Sequence, residues 1–271
     1  DLSDMNNVTW LGSFTAPSAQ AEVPPADLVP PPSITFLQAW WPQGCTMDPM
    51  NSHVLFVACQ TYGLDVLDVS DPTAIVRLAS FTISDLKAAF PDWATTRLYW
   101  ETSRIAWRDG WVFLANHGNG VMAIDVSNPA APTNAQWYPA PIINGTTIRT
   151  RNVVVQGEWL FECTNDADLA SPERGLILRY IANPDSDAPL NYSHARVGEE
   201  YNDHPTTLYG DEPLMGLDVR GDFAYIANGE TGIAVFNHAD KLNPELVTVQ
   251  GLDTPANTNL SHVAVREHPA G

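Results

Sequence analysis

The chain is poor in basic residues, and in lysine above all. Its 271 residues include 13 Lys and Arg against 32 Asp and Glu, which gives a formal net charge of -19. Lys87 and Lys241 are the only lysines. A surface this acidic repels phosphate backbones and anionic lipids, so the composition argues against nucleic-acid binding. High solubility is its simplest consequence.

Long apolar runs and the motifs of common enzymes are also missing. No run approaches the roughly 18 apolar residues of a membrane-spanning helix, so we predict no membrane span. The sequence contains no Gly-x-Ser-x-Gly elbow, phosphate-binding loop, dinucleotide fingerprint or haem-attachment motif. These absences argue against a hydrolase, a nucleotide-dependent enzyme and an intrinsic cytochrome. We therefore favour a non-catalytic protein and leave an enzyme as the alternative.

Cysteine is scarce, with Cys45, Cys59 and Cys163 in no metal-binding spacing. The repeats described below align Cys59 with Cys163, but those two repeats are not adjacent, so no bridge between them is expected. Cys45 and Cys59 flank one short loop. A disulfide between them is the prediction, and two free thiols are the alternative.

The most prominent feature of the sequence is a repeated pattern. Val54–Pro72 runs from an apolar stretch through a glycine turn into apolar alternation, and it ends at Asp-Val-Ser-Asp-Pro. The pattern returns at Val112–Pro129 and, more loosely, at Trp159–Pro184 and Phe223–Pro244. Successive turn glycines lie 57, 55 and 57 residues apart; they are Gly63, Gly120, Gly175 and Gly232. A period this regular indicates a repeat architecture.

Each repeat predicts about four short strands joined by hairpins, with almost no helix. Four-stranded antiparallel units at this period predict an all-β protein, and a β-propeller rather than a sandwich or solenoid. About five blade units are visible, one of them incomplete. We assign residues 1–51 to an N-terminal strand and a Pro-rich arm (Ala16–Pro32) that leads into the first blade. Residues 52–271 form the propeller repeats.

The incomplete blade is predicted from the two ends of the sequence. Leu260–Arg266 matches the first strand of a repeat, and Val8–Phe14 matches a last strand. The middle strands of that blade are missing. We expect the chain to continue beyond Gly271; the alternative is strand addition from a neighbouring molecule, which would build a filament.

The repeat core resembles the LVIVD-repeat family of secreted or surface β-propellers. The resemblance covers about Val54 to Arg266 and is strongest in the first two repeats, since Tyr180 and Asn237 replace the motif's aspartate in the third and fourth. It implies the propeller fold and an exported location, and it implies no particular activity. The residues that carry it are Gly63–Pro72 (GLDVLDVSDP), Gly120–Pro129 (GVMAIDVSNP), Leu55–Ala58 and Ala224–Ala227.

Two sets of polar residues at equivalent repeat positions are candidate sites. The entrances of the first strands carry Arg104, Asn152, Met215 and His262. In a propeller these would form a ring at the channel mouth, suited to a polar ligand or ordered water. The second set, at the turn after the second strand, includes Asn116 and His117, for which polar packing is the alternative. No two histidines have a local metal-binding spacing.

Two acidic loops alternate oxygen ligands as a calcium loop does, one at Asp166 and Asp168 and the other at Asp185 and Asp187. Neither continues with the glycine and distal glutamate of a full calcium loop. Acidic surface loops without metal are the simpler interpretation, so no cofactor is predicted and calcium is the one candidate. The Asp-Val-Ser-Asp segments are predicted to be structural, with Asp68 and Asp125 accepting backbone N–H bonds.

Four Asn-x-Ser/Thr sequons suit a glycosylated extracellular protein: Asn7, Asn144, Asn191 and Asn259. Our hypothesis is a non-catalytic extracellular or cell-surface β-propeller, with the periplasm as the alternative location. It would act as a binding or assembly module, as in a filament or surface layer, and contact a protein partner or a second copy through the Pro-rich arm and the open blade. The alternative is an enzyme or metal-binding propeller with its site at the channel mouth.

Overall fold

The fold was taken from a computed structural model, which describes residues 13, 42–59, 62–90, 102–166, 175–184, 191–197, 214–228, 232–251 and 262–266. The Pro-rich arm, and the predicted strand Val8–Phe14 apart from Ser13, lie outside these residues. Within them the chain forms seventeen strands and one short helix. The strands are β1 (Pro42–Asp48), β2 (Asn51–Cys59), β3 (Gly63–Asp68), β4 (Val76–Thr82), β5 (Arg104–Arg108), β6 (Trp111–Ala115), β7 (Val121–Asp125), β8 (Thr133–Tyr138), β9 (Ile142–Ile143), β10 (Thr146–Gln156), β11 (Trp159–Asp166), β12 (Gly175–Tyr180), β13 (Ser193–Arg196), β14 (Leu214–Arg220), β15 (Phe223–Asn228), β16 (Ile233–Asn237) and β17 (Glu245–Gln250), and the helix is α1 (Ile83–Ala89).

The strands form four sheets whose order follows the chain: β1–β4, β5–β8, β9–β13 and β14–β17. We call them blades 1 to 4. Each consists of four sequential antiparallel strands, and blade 3 adds the two-residue strand β9 at its edge. This arrangement confirms the all-β class and the four-stranded antiparallel blades of a β-propeller. The described helix, α1, is neither long nor apolar enough to cross a membrane.

The chain divides into two compact units. Unit 1 comprises Asp1–Val112 with Ile124–Ala135, and unit 2 comprises Phe113–Ala123 with Gln136–Gly271. Blade 1 lies in unit 1, blades 3 and 4 lie in unit 2, and blade 2 contributes to both.

The core of unit 2 forms between the sheets of blades 3 and 4. Phe161 and Leu178 of blade 3 and Ile226 and Phe236 of blade 4 belong to one cluster of fully buried side chains. Strands in the middle of a blade are covered on both faces, which explains apolar runs without alternation. In β6, for example, all five residues are buried.

The turn glycines are required by close packing against the fourth strand of each blade. A Cβ atom at any of the four would overlap a backbone carbonyl oxygen of that strand or its end. At Gly63 the obstacle is the Phe81 oxygen, and at Gly175 it is the Ala195 oxygen. Gly63 also has a φ of +120°, which disfavours any side chain. The regular spacing of these glycines therefore reflects a steric requirement for glycine at the same position of each blade.

Two consecutive Asx turns end the third strand of the repeats. The first has an acceptor at Asp68 in blade 1, whose Oδ1 receives the Ser70 N–H at 2.8 Å. Asp125 and Asn237 do the same at 2.9 Å in blades 2 and 4. The second turn is built by Asp71, Asn128 and Asp240, whose Oδ1 atoms accept the N–H groups of Thr73, Ala130 and Leu242. The predicted structural role of Asp68 and Asp125 is confirmed.

Bulges recur at matching positions of the edge strands. In the first strands one extra residue is accommodated at Gln43, at Arg151, and between Leu214 and Leu217. In the fourth strands the extra residues are Leu78 of blade 1 and Val247 of blade 4. A bulge interrupts the row of pairing groups and bends the strand. The hydrophobic pattern alone did not predict these bulges.

Candidate functional site

The predicted channel-mouth set needs one correction. The first strands end at Asp48, Arg108, Gln156 and Arg220, so the position four residues earlier is the shared entrance. In blades 2 and 3 it carries Arg104 and Asn152, as predicted. In blade 4 it carries Gly216, and Met215 falls within the bulge of β14. A bulge shifts the register by one residue, which repeat alignment does not show.

In unit 1 the side chain of the entrance residue Arg104 is held by hydrogen bonds to backbone carbonyls. Its Nη1 donates hydrogen bonds to the Gln43 carbonyl at 2.5 Å and to the Ser103 carbonyl at 3.0 Å. A Cβ on Gly44 would meet the Ser103 oxygen and Arg104 Cα, so β1 and β5 approach closely here. The guanidinium thus fixes the junction of two first strands, using a carbonyl at the β1 bulge.

In unit 2 the same close approach joins Gly216 to His262. The segment 262–266 lies along β14, where the Val265 N–H donates to Asp218 Oδ2 at 2.6 Å. His262 is exposed. Of the predicted strand Leu260–Arg266, these five residues are described, and they have no regular strand assignment. Asn152 and His262 belong to unit 2 and Arg104 to unit 1, so the ring itself stays a prediction.

The most buried charges form a network in blade 3 that the sequence analysis missed. Arg179 Nε donates to Glu162 Oε1 in an ion pair whose side chains are 1% and 0% exposed. The second carboxylate oxygen accepts the Thr150 hydroxyl at 2.6 Å, and Arg179 Nη2 donates to the Pro139 carbonyl at 2.9 Å. Every partner lies in unit 2. The network joins β10, β11 and β12 to the segment after β8.

Blade 1 contains a related pair. Arg77 Nη2 donates to Asp65 Oδ2 at 3.0 Å, and Asp65 is fully buried. The Cys59 thiol lies 3.9 Å from the same carboxylate oxygen. Burial, with the Asp65 charge adding to it, raises the pKa of Cys59 far above its usual range. The thiol is therefore held protonated and unreactive.

The predicted disulfide is not formed, because all three cysteines are free. The β1–β2 register places Cys45 opposite Val57 and Cys59 opposite Pro42, and Cys45 is exposed while Cys59 is buried. The alignment of Cys163 with Cys59 is also wrong by one residue. Gly63 pairs with Cys59, whereas Gly175 pairs with Thr164. Cys163 therefore corresponds to Ala58.

The second candidate set is built into a buried turn of unit 2. Asn116, His117 and Asn119 are all buried, and His117 adopts a left-handed backbone with φ of 47°. The His117 carbonyl accepts the Thr150 N–H at 3.0 Å, and the Asn119 backbone carbonyl accepts the Trp137 indole N–H at 2.6 Å. Burial, with Arg151 and Arg149 adding to it, lowers the pKa of His117 to about 3. These hydrogen bonds are accepted by backbone carbonyls, so polar packing of the Asn116 and His117 side chains stays a prediction.

His238 is a further buried residue that the sequence analysis did not single out. Its backbone N–H donates to the Asp222 carbonyl, as the N–H groups of Val69, Val126 and Ile181 do to the matching carbonyls of their blades. Three blades thus fill this position with an aliphatic residue. Blade 4 fills it with a fully buried imidazole whose ring centroid lies 4.6 Å from that of Phe161, with the two rings tilted by 60°. Aligning the repeats on their turn glycines places His238 at the position of Val69, Val126 and Ile181, so the sequence could have singled it out.

The remaining candidates are located as follows. Asp166 is the last residue of β11, and Asp168, Asp185 and Asp187 lie outside the described residues. The described part of the chain holds no group of three or more His, Cys, Asp or Glu residues that could bind a metal. Asn144 and Asn191 are exposed, one in the β9–β10 turn and the other before β13. Asn7 and Asn259 lie outside the described residues.

The comparisons with known proteins agree with this repeat geometry. The family model described as LVIVD repeat matches residues 54–82, 101–138 and 214–236. The chain contains LVIVD repeats. No curated protein sequence matches the chain.

The LVIVD matches follow the strand boundaries closely, except that the first match omits β1 and begins three residues into β2. They cover most of blade 1, all of blade 2 and the first three strands of blade 4 to within a residue or two. Blade 3 is outside the matches although its strands follow the same order. Its Tyr180 replaces the LVIVD aspartate and donates to Glu158 at 3.0 Å instead of building an Asx turn.

Several solved structures are similar to this LVIVD-repeat chain. Apo AztD from Citrobacter koseri is 11% identical, with 82% of this chain and 49% of that one covered and a TM-score of 0.44. The extracellular domain of a putative hybrid two-component system from B. thetaiotaomicron is 14% identical, with 81% and 25% covered and a TM-score of 0.46. The Cps50 (Swd1) β-propeller domain of Myceliophteria thermophila is 13% identical, with 72% and 51% covered and a TM-score of 0.42.

Proposed function

We propose that this chain is a non-catalytic extracellular β-propeller that serves as a protein-binding and assembly module. The observation that carries the proposal is the segment 262–266 beside β14. Val263 and Val265 are half-buried and the other three residues are exposed, which is the alternation of a β-strand. Among the described residues, no sheet includes this segment or pairs a strand with it. An extended segment with one open side is a template for a further strand.

The outer strands of blades 1 and 4 are poorer templates. Leu78 on β4 and Val247 on β17 are bulged and exposed. A bulge breaks the regular row of N–H and C=O groups that an added strand needs, and natural sheets use this device to prevent edge pairing. Strand addition is therefore favoured at 262–266 over the outer edges of blades 1 and 4. The partner we propose is an extended segment from a second copy of this chain.

The placement of the buried charges supports a non-catalytic role. Glu162 and Arg179 are satisfied inside a sheet, and Asp65 is paired with Arg77. Arg104, the candidate at the channel mouth, donates to two backbone carbonyls. Groups held in this way stabilise blades and are not presented to a substrate.

The proposed location is the cell surface or the extracellular medium. The net charge of -19 keeps the chain soluble in such a setting. Two of the four sequons, at Asn144 and Asn191, are exposed on the folded protein. A secreted, glycosylated module that forms filaments or a surface layer is the finer form of this proposal.

The test uses backbone donors of the open segment. The Val265 N–H faces Asp218, so in an extended segment the Ala264 N–H faces the open side. We expect the purified protein and the control A264S to form oligomers or polymers in light scattering and cryo-electron microscopy. A264P lacks that donor and should stay monomeric. A wild-type chain that is monomeric at all accessible concentrations would contradict the assembly proposal.

The alternative function is an enzyme or metal-binding propeller with its site near Arg104, Asn152 and His262. Elemental analysis of the purified protein decides between the two. One equivalent of metal per chain in the wild type, and its loss in His262→Ala, would favour the alternative. Calcium would be sought in the same measurement, since the loops at Asp166–Asp168 and Asp185–Asp187 offer oxygen ligands.

A further inference from the structure

We propose that the tip of the β1–β2 hairpin in blade 1 binds a soft monovalent metal ion, Cu(I). Its ligands are the sulfur atoms of Met47 and Met50 and the imidazole of His53. The three residues follow one another at intervals of three in the sequence (MDPMNSH). The chain contains five methionines, and two of them lie in this stretch. The site is separate from the channel mouth and does not depend on the proposed assembly role.

All three side chains are exposed. Met47 is 40% exposed, and Met50, at 84%, is the most exposed large apolar side chain of the described residues. His53 is exposed as well. The core therefore does not use these side chains, and an exposed thioether is open to a ligand, whereas a buried one serves packing. An ion from the solvent reaches all three positions without any opening of the blade.

The strand register places Met47 and His53 on the same face of blade 1. Met47 pairs with Leu55 across the β1–β2 ladder. The strand β2 stays regular as far as His53, because the Val69 N–H donates to the His53 carbonyl at 2.8 Å and extends the β2–β3 ladder. Residues two apart on a strand share a face, and diagonal neighbours across a ladder lie about 7–8 Å apart. A methionine sulfur and an imidazole nitrogen can bind one ion across that distance.

The backbone of the hairpin tip is held by hydrogen bonds. Asp48 pairs with Asn51, which leaves Pro49 and Met50 as the turn between the strands. The Met50 N–H donates to Asp48 Oδ1 at 2.8 Å, and the His53 N–H donates to Asn51 Oδ1 at 3.2 Å. The main chain is thus fixed at two of the three ligands. The methionine side chains, each with three rotatable bonds, adjust to the ion.

The donor set selects the metal. Thioether sulfur is a soft ligand that favours Cu(I), and imidazole also binds copper, whereas Ca²⁺ and Mg²⁺ take oxygen ligands. The net charge of -19 attracts a cation to the chain. Two of the three ligands are methionines, so this site differs in kind from the groups of His, Cys, Asp and Glu that the described part of the chain lacks.

The exposed thiol of Cys45 lies on the same strand but is not part of this ligand set. Cys45 pairs with Val57, which is four residues from His53 on β2. At about 3.3 Å per residue, the two positions lie about 13 Å apart along the strand, too far for both side chains to bind one ion. A thiolate also binds Cu(I), so the Cys45→Ala variant separates a thiolate site from the proposed one.

The test is competition for Cu(I) between the purified chain and a chromophoric Cu(I) chelator, without oxygen and with ascorbate as the reductant. We expect the wild type to hold one Cu(I) per chain, and Cys45→Ala to bind it equally well. Met47→Leu, Met50→Leu and His53→Val should each weaken binding by at least about tenfold. Leucine and methionine have similar volumes and these positions are exposed, so the variants keep the fold, which circular dichroism checks.

Two control variants remove a ligand type elsewhere. Met122→Leu changes a methionine buried in β7, and His262→Ala changes the histidine of the channel mouth. Both should bind Cu(I) as the wild type does. In a titration with Ag(I), the methyl NMR signals of Met47 and Met50 should shift, and that of Met122 should not. A wild type that holds no Cu(I) against the chelator would overturn the site, as would binding that is lost in Cys45→Ala and kept in Met47→Leu and Met50→Leu.

Discussion

Blades 1 and 3 each bury one acid–arginine pair, but on different strands. In blade 1 the acid, Asp65, is on β3 and Arg77 is on the outer strand β4. In blade 3 the acid, Glu162, is on β11 and Arg179 is on β12. The pair has moved inwards by one strand, and the exposed fraction of the arginine side chain falls from 20% to 1%.

The strand registers show that the two pairs occupy the same cross-section of a blade. Val57 faces Asp65 in blade 1, and Glu162 faces Ile177 at the corresponding place in blade 3. Arg77 faces Leu67, whose counterpart in blade 3 is Arg179. The blade therefore fixes where a charge pair fits, and the choice of strand fixes how much water it keeps. Burial, rather than sequence position, should decide the cost of breaking each pair.

The largest effect is expected from Glu162→Gln. It leaves the Arg179 guanidinium buried without its carboxylate, and losing one partner of such a pair costs about 3–5 kcal/mol of unfolding free energy. Asp65→Asn should cost less, about 1–3 kcal/mol, because Arg77 reaches water. Urea denaturation of the two variants measures the difference. Equal losses would show that strand position does not control the cost.

The next effect concerns the turn glycines of the same two blades. Gly175→Ala forces a methyl group onto the Ala195 carbonyl, which should cost about 1–3 kcal/mol through overpacking. Gly63→Ala meets the Phe81 carbonyl and also a φ of +120°, so about 1–2 kcal/mol should be added. The comparison is made in urea. A smaller loss of unfolding free energy in Gly63→Ala than in Gly175→Ala would show that the positive φ at Gly63 adds no cost.

His238→Val extends the comparison to blade 4, where an imidazole takes the place of Val69 and Ile181. Burial, with Lys241 adding to it and Asp222 opposing it, lowers the pKa of His238. The unfolded chain then binds more protons below about pH 6.5, so the wild type loses stability as pH falls below that value. Its two ring nitrogens lack hydrogen bonds to other described residues.

We expect His238→Val to be more stable than the wild type at pH 5 by about 1 kcal/mol, because it removes an unsatisfied buried group. The difference in stability between His238→Val and the wild type should narrow towards pH 7.5. Thermal denaturation at the two pH values measures it. A pH dependence unchanged by the substitution would assign the titration to another group, and His53→Val is the control on an exposed histidine.

The smallest effect is expected at the Asx turns, which blade 3 replaces with Tyr180. The backbone bond from Ser70 lowers the pKa of Asp68, so its contribution is present above about pH 4 and is lost as pH falls through the lowered pKa. Asp68→Ala should reduce the urea midpoint slightly. Asp68→Asn should not, since Asn237 builds the same turn in blade 4. A loss in both variants would mean that the charge, rather than the acceptor, matters.

The sequence by itself determined the local features of this protein. The short strands joined by hairpins, the glycine period and the Asp68 and Asp125 acceptors each depend on a few neighbouring residues, and the structure has them where the repeat predicted them. The family resemblance followed from the same residues. Local rules sufficed here because a turn or a strand end is decided by backbone geometry within four or five positions.

The tertiary structure alone decided register and burial. A bulge moved Met215 out of the predicted set, the β1–β2 pairing left Cys45 and Cys59 unbridged, and one residue separates Cys163 from its assumed position. Likewise Glu162 and Arg179 lie 17 residues apart in sequence, and only the pairing of β11 with β12 brings their charges together. Such contacts depend on which strands are neighbours and how much water is excluded between them, and neither quantity is encoded in a short stretch of chain.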